Sequence, residues 1–255
     1  MLVDAWRLAL GTLTAIPVAP PTQVDRRRTG TAMVLAPLAV APLAAAMTLV
    51  ALAGHALDLP VGVTALLALG ATVLGNRAFH LDGLSDTVDG MAASYDRERS
   101  LAVMKSGTSG PAGVVAVLLV LGLQACALAA CLDSARPVRS AVLAGVALCV
   151  SRAGLVLCCA RGVPSARPGG LGESYTGTVA APVVVLVWLT CASLLSIVGA
   201  WSGLLWWRGA LAGAMGLAVV AVVVVRAIGR LGGVTGDVFG AAIEVSLAAL
   251  LVALS

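Results

Sequence analysis

The chain has 255 residues, of which 60% are hydrophobic and 11% are charged, and its mean hydropathy is +1.04. This composition is typical of a polytopic membrane protein and excludes an ordinary soluble domain, in which about 25% of residues are charged. The formal net charge of +4 suits a protein beside an anionic lipid leaflet and requires no nucleic acid partner.

The first predicted element is a short apolar segment at residues 2–16, which contains Asp4 and Arg7. Its length and its charges favour an interfacial or re-entrant helix over a membrane span. A group of prolines that begins at Pro17 ends it. We expect no cleavable signal here, because an acid precedes the apolar run and no small-residue cleavage site follows a basic start.

About seven apolar segments follow, each of roughly 20 residues and therefore long enough to cross about 30 Å of hydrocarbon as a helix. They lie near residues 32–53, 61–79, 112–132, 140–160, 179–200, 204–225 and 238–254. The fold class we expect is all-α, a polytopic integral membrane bundle of about seven transmembrane helices plus the N-terminal helix. No tandem repeat or low-complexity linker divides the chain, so residues 1–255 are predicted to form a single integral membrane domain.

Basic residues are concentrated in alternate loops of this arrangement. The arginine and lysine residues lie mainly in residues 26–28, 97–105, 161–167 and 226–230, and the opposite loops contain fewer of them. Because short cytoplasmic loops are enriched in Lys and Arg, we expect these four segments on the cytoplasmic face.

The sequence HLDGLSDTVDG at residues 80–90 places three acids at helical spacing next to very apolar sequence. Asp82, Asp86 and Asp89 are four and three residues apart, so on a helix their carboxylates lie along one face. Unpaired, they would repel one another. Mg²⁺ prefers oxygen ligands and leaves positions open for the phosphates of a substrate. The motif therefore predicts a magnesium site, formed by these three aspartates, that acts on a diphosphate.

Polar segments elsewhere on the same face supply further candidate residues. Lys105 precedes a glycine-rich turn that is either a flexible loop or a phosphate-binding helix N-terminus. Arg161 and Arg167 lie in a long glycine-rich loop that is either an ordinary connector or a loop that binds phosphate through forked donors. Asp237 follows a third glycine-rich stretch at the start of the last span, where an acid usually indicates function.

Arg152 lies inside or at the end of the fourth predicted span. An unpaired cation in that position is costly. We therefore expect Arg152 to pair with an aspartate or with a substrate phosphate.

Together these segments resemble the cobalamin synthase family, the adenosylcobinamide-GDP ribazoletransferases. HLDGLSDTVDG and the following DRERSLAVMK resemble the family signature. LGTLTAIPV near the N-terminus, SRAGLVL at 151–157 and LGGVTGDVFGAA at 231–242 resemble further family segments in the same order, so the resemblance covers essentially the whole chain. After Lys105 the chain departs from the common DSRxGxxG pattern and reads SGTSG.

The resemblance implies a Mg²⁺-dependent phosphotransferase of the substituted-phosphate-group class, in the bacterial inner membrane with its active face cytoplasmic. Adenosylcobinamide-GDP would react with α-ribazole, or with its 5′-phosphate, and GMP would be released as the nucleotide loop of cobalamin closes. In this prediction the metal is bound by Asp82, Asp86 and Asp89, the proton acceptor is His80 or one of these aspartates, and a second set of residues binds substrate. That second set is Lys105, Arg152, Arg161, Arg167 and Asp237. A homo-oligomer, or a complex with other cobalamin-assembly enzymes, is left open.

Three other functions fit parts of the sequence. Residues 86–93 read DxxDGxxA, the start of a CDP-alcohol phosphotransferase motif, but the expected arginine is Ser94 and the later GxxxDxxxD is absent. A cation-coupled transporter also uses intramembrane acids, although these should lie at the bilayer midplane rather than at one face. Prenyl transferases contain paired aspartates as well.

Overall fold

The computed structural model describes all 255 residues apart from the side chain of Leu171, and over that range the chain forms thirteen α-helices. These are α1 (Leu2–Leu13), α2 (Arg26–Ala39), α3 (Ala41–Ala56), α4 (Val61–Gly75), α5 (Phe79–Ala93), α6 (Arg97–Lys105), α7 (Pro111–Leu132), α8 (Pro137–Ser151), α9 (Gly154–Cys158), α10 (Leu171–Tyr175), α11 (Ala181–Ser202), α12 (Trp206–Leu231) and α13 (Gly236–Leu254).

The helices confirm an all-α, polytopic membrane fold. Within the described residues, six stretches are long and apolar enough to span a bilayer: α2 with α3, α7, α8 with α9, α11, α12 and α13. The bent pair α4 and α5 makes a seventh if it is counted as one span. α1 is not among these candidates, in keeping with the expected N-terminal helix, and it ends at Leu13 because Thr14 adopts an extended conformation.

The first span begins earlier than the predicted residue 32. The Asp25 side chain accepts a hydrogen bond from the backbone N–H of Arg28 at 2.8 Å, which starts the helix at Arg26. Such N-caps satisfy amides that lack an intrahelical partner. The span is also interrupted at Val40, between Pro37 and Pro42, where proline rings remove backbone donors.

The predicted span at residues 61–79 stops at Gly75, and the chain then turns sharply. The axes of α4 and α5 differ by 88°. Arg77 and Ala78 both have positive φ, at 59° and 57°, a conformation that is uncommon for residues other than glycine. This turn begins α5 at Phe79 and directs the aspartate-containing helix away from the direction of α4.

Helix α13 lies at the centre of the bundle, where it packs against α5, α7, α8, α9 and α12. Small residues permit its closest approaches. A Cβ atom on Gly240 of α13 would lie 2.7 Å from the carbonyl oxygen of His80 in α5. Membrane helices commonly use glycine in this way, because close backbone contact increases van der Waals packing. The first turn of α13 is consequently held against the first turns of α5.

Candidate active site

The contact between α5 and α13 brings together aspartates that are far apart in the sequence. Gly83 in α5 faces the backbone of Asp237, so that a Cβ atom at Gly83 would fall 2.7 Å from the Asp237 carbonyl oxygen and 3.0 Å from its Cα. Asp82 and Asp86 flank Gly83 on the same helix. We call Asp82, Asp86 and Asp237 the acidic cluster.

The carboxylates of the acidic cluster remain accessible. Asp82 is exposed and the other two members are partly exposed, and the charge of Asp86 interacts with those of both Asp82 and Asp237. Asp237 Oδ2 accepts a hydrogen bond from the Thr235 hydroxyl at 3.1 Å. Among the described side chains, no Lys, Arg or His nitrogen lies within 4.0 Å of these three carboxylates. The cluster therefore has an excess of negative charge, which favours a bound cation.

Asp89, the third predicted metal ligand, has a different environment. It is buried, and its two oxygens accept hydrogen bonds from the backbone amides of Gly110 and Gly113, at 2.6 and 2.8 Å. These amides begin α7, where the helix dipole favours an anion. The glycine-rich turn after Lys105 therefore binds the carboxylate of Asp89 in this structure, at the place where the sequence suggested a phosphate.

Of the basic residues predicted to bind substrate, Arg167 lies closest to the acidic cluster. It is near enough to interact electrostatically with Asp86 and Asp237, and one guanidinium nitrogen donates to the Leu101 carbonyl. Lys105 and Arg161 are both exposed. Neither side chain makes a hydrogen bond or ion pair with another described residue, so the structure does not bring them into the cluster.

The loop that contains Arg167 is attached to the start of α13 by backbone hydrogen bonds. The amide of Ala166 donates to the Val234 carbonyl at 3.0 Å, and the amide of Val234 donates to the Pro164 carbonyl at 2.9 Å. Arg97 at the start of α6 donates to the carbonyls of Leu231 and Ala166. The loop that contains Arg167 and the glycine-rich stretch that precedes Asp237 are thus held together beside the acidic cluster.

Arg152 does not reach the acidic cluster. Its side chain is 1% exposed, and one guanidinium nitrogen donates to the Leu148 carbonyl and to the Ser151 hydroxyl. Its charge interacts with that of buried Glu244 in α13. A buried cation needs an anion nearby, and buried Glu244 lies near enough to interact with Arg152 across space, although the two side chains do not form an ion pair within 4.0 Å.

His80 connects this buried region with the accessible one. Its Nδ1 atom lies 3.4 Å from the Asn76 amide nitrogen and 3.8 Å from Glu244 Oε1. Glu244 in turn accepts a hydrogen bond from Gln124 at 2.9 Å. The orientation of the His80 ring is therefore determined by Asn76 and Glu244, and Glu244 is itself held by Gln124. Gln124 and Glu244 are 120 residues apart along the chain.

A pocket of about 160 Å³ adjoins the acidic cluster, between α1, α2, α5, α9, α10 and α13. Its polar lining residues are Thr12, His80, Ser165, Arg167, Thr235 and Asp237. Its large apolar lining residues are Leu13, Met33, Phe79, Leu155, Tyr175, Phe239 and Ile243. The pocket is thus apolar over much of its wall and charged where it meets the acidic cluster, a combination that is typical of sites for small organic ligands.

The donor chemistry of the acidic cluster fits Mg²⁺. In the described part of the chain, no group of three or more His, Cys, Asp or Glu side chains is arranged so that it could hold a metal ion by itself. However, Mg²⁺ is usually bound by only one or two carboxylates together with water and substrate phosphates. Accessible carboxylates such as those of Asp82 and Asp86, beside a pocket, are donors of that kind.

Sequence reasoning missed the aromatic lining of the pocket. Tyr175 and Phe239 are 6% and 8% exposed, and their rings meet edge to face with centroids 6.4 Å apart. The one feature of the sequence that could have drawn attention to these residues is the scarcity of such rings, since the chain has only two tyrosines and two phenylalanines. The hydrogen bond between Gln124 and Glu244 could not be predicted from the sequence either, because it depends on the packing of α7 against α13.

Comparisons with known proteins agree with the resemblance seen in the sequence. The family model described as cobalamin-5-phosphate synthase matches residues 5–255. No solved structure matches the chain.

Among curated relatives, a protein from Nocardioides sp. is 51% identical over 98% of this chain and 97% of its own length. One from Frankia casuarinae is 36% identical over 100% of this chain and 95% of its own length. One from Pseudomonas putida is 35% identical over 93% of this chain and 92% of its own length. All three are named adenosylcobinamide-GDP ribazoletransferase. The chain belongs to the cobalamin-5-phosphate synthase family.

Proposed function

We propose that this protein is an adenosylcobinamide-GDP ribazoletransferase, which carries out the nucleotide-loop assembly step of cobalamin biosynthesis. A hydroxyl of α-ribazole, or of its 5′-phosphate, attacks the phosphorus next to the cobinamide arm, the diphosphate bridge breaks, and GMP leaves. Because the same oxygen must be free in both acceptors, the attacking group is a secondary ribose hydroxyl. The observation that carries the proposal is the position of the acidic cluster, beside a pocket in a membrane bundle of this family.

The acidic cluster would hold Mg²⁺ through Asp82, Asp86 and Asp237. Bound there with the substrate, the ion would supply neutralisation of the diphosphate charge and of the charge on the leaving oxygen. The sequence suggested Asp89 as a third ligand, but both of its oxygens bind amides of α7. We assign Asp89 to positioning α5 against α7.

Arg167 is the cation we assign to the phosphates of adenosylcobinamide-GDP, because it lines the pocket and lies near Asp86 and Asp237. Its planar guanidinium can donate two parallel hydrogen bonds to a phosphate. His80 also lines the pocket, and its ring is oriented from behind by Asn76 and Glu244. We therefore assign to His80 the acceptance of the hydroxyl proton, a role that requires a positioned base.

We further propose that the site faces the cytoplasm in a bacterial plasma membrane. The loops with most Lys and Arg residues include those that contribute Arg97, Arg167 and Arg230. These side chains lie at the same end of the bundle as the acidic cluster, since Arg97 contacts Ala166 and Arg230 contacts Met91. Positively charged loops remain on the cytoplasmic side.

The experiment that tests this function is turnover by the full-length protein purified in detergent. Adenosylcobinamide-GDP, α-ribazole and Mg²⁺ should yield GMP and the completed corrinoid in equal amounts, and chelation of Mg²⁺ should stop the reaction. A CDP-activated alcohol lipid offered in place of the corrinoid should give no CMP. Release of CMP from that lipid, with no product from the corrinoid substrate, would reject the proposal.

A further inference from the structure

We propose that the pocket beside the acidic cluster binds the flat benzimidazole base of α-ribazole, the acceptor substrate. The inference rests on the proposed function and deepens it by assigning one substrate to one site. The corrinoid and the GMP portion of the donor would lie outside the pocket, across the acidic cluster.

The size of the pocket excludes the corrin ring. Its volume is about 160 Å³, whereas an apolar cavity of about 150 Å³ holds a single benzene molecule. The pocket therefore encloses about one aromatic ring, so that a flat base can enter it with its sugar towards solvent, whereas a macrocycle cannot be enclosed. Either base in the reaction, the benzimidazole or the guanine, satisfies this limit.

The lining favours the benzimidazole. The interior is formed by Leu13, Met33, Leu155 and Ile243, each less than 5% exposed, and by the edge-to-face pair of Tyr175 and Phe239. An aromatic base gains both area burial and ring contacts against such walls. A benzimidazole with apolar substituents leaves few polar atoms to satisfy.

Guanine is disfavoured because its O6 and N7 atoms need hydrogen-bond donors. Four side-chain hydroxyl groups line the pocket, and three of them already donate to a protein oxygen. Thr12 donates to the Leu8 carbonyl, Ser165 to the Arg167 carbonyl and Thr235 to Asp237 Oδ2. The remaining donors in the lining are the Tyr175 hydroxyl, His80 and Arg167, and we have assigned the last two to the reacting groups. Burial of the guanine edge would therefore leave at least one acceptor unpaired, which is costly.

The geometry also connects the base with the reacting groups. Asp237 and Phe239 lie two residues apart in α13, and both line the pocket together with His80. A base held against Phe239 therefore has its ribose near His80 and the acidic cluster, where the phosphate is transferred.

Substitutions of Tyr175 test the assignment, because Tyr175→Phe keeps the aromatic wall and Tyr175→Ala removes it. We expect Tyr175→Ala to raise the KM for α-ribazole about tenfold, and to weaken α-ribazole binding in equilibrium dialysis by a similar factor. For Tyr175→Phe, the KM for α-ribazole and the binding of α-ribazole should stay within about twofold of the wild-type values. The KM for adenosylcobinamide-GDP should change less than about twofold in both variants.

Phe239→Leu is a second variant on another helix, for use if Tyr175→Ala does not fold, and it should also raise the KM for α-ribazole selectively. A KM for α-ribazole that is unchanged in the folded variants, or a selective increase in the KM for adenosylcobinamide-GDP, would overturn the inference. Wild-type turnover separates the two proposals: without it the function itself fails, and with it only the base assignment is in question.

Discussion

Gly83 and Asp237 are in direct backbone contact, and this contact determines the geometry of the acidic cluster. A Cβ atom on Gly83 would lie 2.7 Å from the Asp237 carbonyl oxygen, closer than non-bonded atoms pack. Gly83, the first of the two glycines in HLDGLSDTVDG, is therefore what allows Asp82 and Asp86 to approach the first turn of α13. A methyl group at this position must push the two helices apart.

Gly83→Ala should consequently reduce turnover by about 100-fold, since a displacement of about 1 Å at reacting groups can have that effect. It should also lower the free energy of unfolding by about 1–3 kcal/mol through overpacking. Gly229→Ala is the matched control, because a Cβ atom there would meet no atom within 4 Å. Turnover and the thermal midpoint in detergent report the two effects, and equal behaviour of both variants would contradict the account.

Asp89 should contribute to stability through its hydrogen bonds to the first amides of α7. Asp89→Ala leaves the partly buried amide of Gly110 and the buried amide of Gly113 without their partner, which should cost about 1–3 kcal/mol. Asp89→Asn retains one acceptor oxygen and should cost less. Asp133→Ala, at the exposed C-terminal end of the same helix, should be nearly neutral. Equal thermal midpoints for the Asp89→Ala and Asp133→Ala variants would show that the capping role is wrong.

Arg152 and Glu244 should behave as a coupled buried pair. Removal of either charge alone, by Arg152→Met or Glu244→Gln, leaves the other charge buried without its partner and should cost about 3 kcal/mol or more. The double variant should be more stable than the sum of the single effects predicts, because no uncompensated charge remains. Thermal unfolding of the four proteins measures the coupling, and strictly additive losses would argue against it.

Asp4 provides a pH-dependent attachment for the N-terminal helix. The backbone N–H of Thr22, at 2.9 Å, and the side chains of Thr22 and Arg28 hold the pKa of Asp4 below its ordinary value. Because the folded pKa is the lower one, this stabilisation is complete above the unfolded pKa of about 3.9 and is lost as the pH falls through the folded value. Asp4→Asn should therefore lower the thermal midpoint at pH 7, and the difference should shrink on acidification below about pH 4. A difference that is constant with pH would contradict this role.

Parts of this site follow from the sequence, because helical spacing depends on neighbouring residues alone. The spacing of Asp82 and Asp86 predicted a shared face, and the position of Asp237 in an apolar span predicted function. The hydrogen-bond partners of Asp89 could not be predicted in this way. They are the amides of Gly110 and Gly113, 21 and 24 residues away, and their approach depends on how α5 packs against α7. Arg152 was expected near phosphate because a buried cation needs an anion, but the sequence does not show that Glu244 is that anion.

The most direct test of the central claim is divalent-cation binding at the acidic cluster. Mn²⁺ can replace Mg²⁺ at oxygen ligands, and its paramagnetic resonance signal reports binding to the purified full-length protein with adenosylcobinamide-GDP present. We predict that Asp86→Asn and Asp237→Asn each weaken Mn²⁺ binding by about 10-fold to 100-fold or more, since even indirect partners of a metal contribute that much. Glu98→Gln, an exposed acid in α6, should bind Mn²⁺ like wild type. Unchanged Mn²⁺ affinity in both aspartate variants would contradict the account.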